Sequence, residues 1–160
     1  MSKQRFARGW IFYYLFKAIE NLGISLKLIY RRVADILVKD IGFLMKKVQE
    51  YGFNYSNITN FIESYAKFAK QMGVVKNVNL KIEDAGDAYE VTCEVTGCDF
   101  LEMARLAAEK GEKTCPLCLI SLASAFVQTV LGNVTVGSIE HETDLNNEKC
   151  ILKIAYIKKQ

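Results

Sequence analysis

Residues 77–96 read NVNLKIEDAGDAYEVTCEVT. Val78, Leu80 and Ile82 alternate with Asn77, Asn79 and Lys81. Tyr89, Val91, Cys93 and Val95 alternate with Glu90, Thr92, Glu94 and Thr96. A period of two sends successive side chains to opposite faces, so both runs predict strands with one buried and one wet face. Asp84-Ala85-Gly86-Asp87 between them has the residues of a tight turn, and the whole predicts a hairpin.

On the C-terminal side, Gly97-Cys98-Asp99 breaks the second strand. Phe100 to Lys110 reads as a short helix ended by Gly111. A longer helix follows, capped by Thr114, with Pro116 in its first turn, where a missing N–H costs nothing. It runs to Leu131 and stops at Gly132. Its residues are apolar nearly all round, so it predicts a buried helix. Two more strands close the chain. Val134 and Val136 alternate, and Ile139 follows out of phase. Ile151 to Ile157 places Leu152, Ile154 and Tyr156 on one face, after the turn Asp144-Leu145-Asn146-Asn147.

On the N-terminal side the period is helical. Helices are expected over about 6–22, 24–51 and 57–72, each followed by a glycine. Ser56 or Asn57 caps the third. Trp10, Phe12, Tyr13, Tyr14 and Phe16 give the first an apolar face too wide for an ordinary surface helix. The expected architecture is α+β: N-terminal helices packed on a four-stranded antiparallel sheet, with a buried helix between two hairpins. One domain over 1–160 is expected, with a helical part at 1–73 and a sheet and metal-site part at 74–160.

Composition fits an ordinary globular chain, with 51% hydrophobic and 24% charged residues. A net charge of +3 is too small to imply a nucleic-acid partner. The N-terminal apolar run from Trp10 to Phe16 is short and has no small-residue cleavage site after it, so no signal peptide is expected. No stretch reaches the roughly 18 apolar residues of a membrane span. A cytoplasmic protein is expected, whose five cysteines are free, metal-bound or redox-active.

Cys115 and Cys118 share one face of a helical first turn, where unpaired amides favour a thiolate. The C-x-x-C spacing fits half a zinc knuckle, a dithiol pair, or packing of an apolar helix. The antiparallel neighbourhood favours metal over dithiol chemistry. Cys93 lies among valines on its strand and reads as core. Cys98 stands at a strand end, where ligands are often offered. Cys150 shares parity with Leu152 and reads as core or as a further ligand. His141 is the one histidine and reads as a surface residue, on the strand face opposite Glu140 and Glu142. No dinucleotide or phosphate-loop motif occurs.

The second half of the chain, most clearly about 97–157 with CPLCLISLASAFVQTVLGNVTVGSIEHETDLNNEKCILKI at 115–154, resembles the 4-vinyl-reductase domain family. That family is related to the transport-protein-particle subunits and to heme nitric-oxide-sensor domains. The resemblance rests on Cys115 or Cys118, small residues at Ser121 and 123–125, Gly132, Glu140 or Glu142, and Cys150. It implies zinc held by cysteines and a glutamate. Thr143 stands where the family has another cysteine, so the expected metal set here is Cys98, Cys115, Cys118 and Cys150, with Glu140 or His141 as replacements. The resemblance further implies a hydrophobic small-molecule pocket, expected beside Trp10, Phe12, Phe16 and Phe126, and a homodimer. Small-molecule binding or sensing is thus the expected function. The rival is a reductase or redox protein using the cysteines for an iron–sulfur cluster or dithiol chemistry.

Overall fold

A computed structural model of the chain describes residues 3–25, 28–29, 32, 36, 39–40, 46, 49–50, 52–112, 127–128 and 130–159, with side chains from Ile11 onward except Phe12. Seven elements run in order: α1 (Lys3–Asn21), α2 (Ile58–Gln71), β1 (Asn77–Asp84), β2 (Ala88–Thr96), α3 (Leu101–Glu109), β3 (Val134–Asp144) and β4 (Lys149–Lys158). The fold is α+β, with a four-stranded antiparallel sheet ordered β1-β2-β4-β3 and α3 between the two hairpins in sequence.

The first hairpin forms as its alternation requires. Asp84 pairs with Tyr89 across the turn, and Asn77 pairs with Thr96 at the far end. Gly86 holds φ +87°, a left-handed value that favours glycine, and its amide donates to Asp84 Oδ1 at 3.0 Å. The second hairpin joins the first through its last strand. β4 is hydrogen-bonded on both sides, to β2 and to β3, so pairing carries it past the expected 151–157 to Lys149–Lys158.

β3 contains a bulge between Val136 and Ser138. The extra residue resets the pleat. Val134 and Val136 pair with Lys158 and Tyr156 before it; Ile139, His141 and Thr143 pair with Ile154, Leu152 and Cys150 after it. Directly opposed residues share a face. The inward parity of β3 therefore changes from even to odd at Gly137, which explains why Ile139 falls out of phase.

α2 starts at the N-cap Asn57, whose side chain accepts from the Asn60 amide, so Asn57 rather than Ser56 is the cap. Ile58, Phe61 and Ile62 bury its apolar face in a cluster with Phe53, Val91, Val127, Val134, Ile154 and Tyr156. α1 finds its partner in a helix. Tyr13 and Phe16 pack on Met103 and Ala107 of α3, and Lys17 pairs with Glu112 just beyond it. Tyr13 and Phe16 are thus buried against another helix. Ile11, Tyr14, Leu15 and Leu22 stay exposed. The expected second helix and the buried helix after Thr114 lie mostly outside the described residues. Residues 127–128 and 130–131, at the end of the latter, are helical, and Val127 is buried.

Candidate functional site

A cavity of about 240 Å³ lies between α2 and the inward face of the sheet. Periodicity builds its walls. On α2, Phe61, Tyr65 and Phe68 follow one another at helical spacing and face the sheet. On the sheet, Val91, Cys93 and Val95 of β2 lie beside Cys150, Leu152, Ile154 and Tyr156 of β4, all on the inward parity. Val78 and Leu80 of β1 and Leu101 and Ala104 of α3 complete it.

The two ends differ in chemistry. One is aromatic: Phe53 meets Phe61 edge-on at a centroid distance of 5.8 Å and Phe68 at 5.6 Å. The other holds sulfur. Cys93, Val95, Cys150 and Leu152 form a buried cluster against which Cys98 packs. Among the described lining residues no Lys, Arg, Asp or Glu occurs, and His141 is the one ionisable nitrogen.

His141 reaches the cavity because of the bulge. It stands opposite Leu152, two residues from Thr143, which stands opposite Cys150. Thr143 Oγ1 lies 3.3 Å from His141 Nε2 and accepts from the Cys150 thiol at 3.9 Å. Burial disfavours the imidazolium, so the His141 pKa lies below its ordinary value. The surface position expected for His141 is therefore corrected. Residue alternation put it opposite Glu140 and Glu142 but did not say which face is inside. Gly137 within the strand was the available signal of a bulge.

Two of the four expected metal ligands, Cys98 and Cys150, are brought to the same end of the cavity. Cys115 and Cys118 lie outside the described residues. Glu140 is exposed opposite Lys153, on the strand face away from Cys150. Among the described residues no group of three or more His, Cys, Asp and Glu could hold a metal ion. The expected pocket wall is also corrected in part. Phe16 belongs to the α1–α3 contact and is not among the lining residues. Phe126 and the side chains of Trp10 and Phe12 lie outside the described residues. The aromatics that do line the cavity are Phe61, Tyr65 and Phe68 of α2, Phe100 before α3 and Tyr156 of β4; periodicity alone marks those of α2 as an ordinary apolar helix face.

No family model and no curated protein matches the sequence. Two solved structures share its fold. One is the phenol-responsive sensory domain of the transcription activator PoxR with phenol, at TM-score 0.61 and 15% identity, covering 94% of this chain and 73% of that one. The other is a trafficking protein particle complex subunit 3 from Naegleria fowleri, covalently bound to palmitic acid, at TM-score 0.56 and 11% identity, covering 98% of each chain. At these identities the likeness is one of fold. A trafficking-particle subunit among the similar structures agrees with the fold that the sequence resemblance implies. No helix among the described residues is long and apolar enough to cross a membrane.

Proposed function

We propose that this chain binds a small hydrophobic molecule, of about one aromatic ring and its substituents, between α2 and the sheet. The observation that carries the reading is the cavity itself, about 240 Å³ with an apolar wall. Close-packed interiors seldom leave such a space. Its volume is about one and a half times the roughly 150 Å³ that accept benzene in an engineered apolar cavity, room for about ten heavy atoms. Both similar structures carry a ligand, phenol in one and palmitic acid in the other, which supports a binding role.

The test is a titration with one-ring aromatics followed by calorimetry and thermal shift, on wild type and on Ala104→Leu. Ala104 is buried and lines the cavity. A leucine there occupies the space, and the cavity absorbs the added methylenes that would otherwise overpack a core. Wild type should bind and the variant should not. Binding that survives in Ala104→Leu, or no binding of any compound of this size, would overturn the reading.

Two further expectations stand as proposals. A zinc held by Cys98, Cys115, Cys118 and Cys150 is supported by the convergence of Cys98 and Cys150, and metal analysis of wild type and Cys118→Ser tests it. A homodimer through α1 is supported by exposed Ile11, Tyr14 and Leu15, and sedimentation tests it.

A further inference from the structure

We propose that α3 couples the cavity to α1: a ligand between α2 and the sheet tightens the seating of α1, and the seating of α1 sets the affinity for the ligand. The inference rests on the binding role proposed above and names a regulation of that site.

Three observations lead there. First, α3 is a wall shared by the cavity and α1. Leu101 and Ala104 line the cavity. Met103 and Ala107, on the same helix, bury Tyr13 and Phe16 of α1. Phe100, the residue before α3, touches both sides: it lines the cavity and packs against the cluster of Tyr13, Phe16, Met103 and Ala107. Second, α3 has little of its own to hold it in place. It has nine residues, and a helix under about 12 residues owes most of its stability to tertiary contacts. No side chain caps its N-terminus. The Phe100 amide donates to Cys98 Sγ at 3.5 Å, and sulfur is a weak acceptor. Packing therefore fixes α3, from the cavity on one side and from α1 on the other. Third, α1 is clasped at the far end of α3 as well. Lys17 pairs with Glu112, and the Tyr13 hydroxyl donates to Glu112 Oε1 at 3.4 Å. A shift of α3 therefore carries α1 with it.

The energetics follow from the shared wall. A side chain that faces a cavity lacks partner atoms on that side. A ligand supplies them to Phe100, Leu101 and Ala104 and narrows the range of positions open to α3. α1 then packs on a firmer surface. Such coupling is reciprocal: the factor by which the ligand favours seated α1 equals the factor by which seated α1 favours the ligand. Ile11 and Leu15, exposed on the other side of α1, thus lie on a helix whose seating reports occupancy.

The experiment takes 4-ethyltoluene as the probe, measures its binding by calorimetry, and follows amide hydrogen exchange along α1 with and without it. Amides of α1 that exchange by local detachment from α3 should slow about fivefold or more at saturation, the low end of ordinary coupling. Without coupling their rates would stay as they are, because local detachment does not pass through the global unfolding that any bound ligand suppresses. Phe16→Ala, at a residue outside the cavity wall, should speed α1 exchange and weaken 4-ethyltoluene binding by a factor of the same order. Bound probe with α1 exchange unchanged, or wild-type affinity in a folded Phe16→Ala whose α1 exchange is faster, overturns the coupling and leaves the binding role standing. If wild type binds neither 4-ethyltoluene nor the smaller toluene, the binding role falls and the coupling with it. Exchange in wild type decides the matter even if Phe16→Ala folds poorly.

Discussion

Replacing Phe61 with alanine tests the packing that creates the cavity. Phe61 is fully buried, meets Phe53 edge-on at 5.8 Å, and has one side on the cavity. Truncating a buried phenylalanine costs about 3–5 kcal/mol. The side that faces the cavity already lacks partner atoms, so fewer dispersion contacts are lost there. The loss should lie at the lower end, about 3 kcal/mol, including about 1 kcal/mol for the Phe53 edge contact. For a chain of 160 residues each kcal/mol moves the melting temperature by about 2–4 °C, so the midpoint should fall by about 6–12 °C. Urea unfolding should show the same change in midpoint without a change in slope. The enlarged space should then accept a ring system too large for the wild-type cavity: anthracene at about 100 times its dissociation constant would restore about 2.7 kcal/mol. A cost under about 1 kcal/mol, or no recovery with any larger aromatic, would refute this account of Phe61 as the wall between core and cavity.

Three other outcomes follow from single residues. Burial holds the His141 pKa below its unfolded value, so the unfolded chain binds this proton first; stability should decline as pH falls below about 6.5 and level off beneath the folded pKa. His141→Leu should remove that part of the decline, and denaturation midpoints between about pH 7 and 5.5 read it; an identical slope in both proteins would sink the claim. Gly97→Ala should cost about 2 kcal/mol, because φ is +63° and the new Cβ would stand 2.5 Å from Lys76 Cδ and 2.9 Å from its Cβ. Gly137→Ala should cost under about 1 kcal/mol by the same urea assay: its φ is not left-handed, the Cβ's tight contacts, 2.9 and 3.0 Å, are with the Ile157 side chain, which is 43% exposed and can shift, and Ala155 O at 3.5 Å is an ordinary contact.

The sequence made local periods legible and left long-range partners illegible. The 77–96 hairpin is visible because alternation and turn chemistry agree within twenty residues. The helix over 57–72 is visible for the same reason. The order β1-β2-β4-β3 is not local, and it is what makes the last strand central. Nor could the aromatic run of α1 say that Met103 and Ala107 would receive it, ninety residues on by about the separation of Tyr13 from Met103. Cys150 was placed on its inward face by parity with Leu152, and the structure has it there. His141 needed one fact more, the bulge, because parity counted from Val134 gives the wrong face after Gly137.

That bulge gives the cavity an unusual genetic lever. β3 is an edge strand, so its phase is tied to one neighbour only. Deleting Gly137 would remove only the bulge and leave every later residue facing as before, whereas inserting one residue after Ser138 with the bulge kept would invert every side chain that follows. Glu140 and Glu142 would turn inward, while His141 and Thr143 would turn to water. A three-base insertion would thus convert a neutral, aromatic-lined pocket into an acidic one suited to amines, with no substitution at any lining position. Diversification of ligand class in such a scaffold can proceed by frame of the pleat as well as by exchange of side chains.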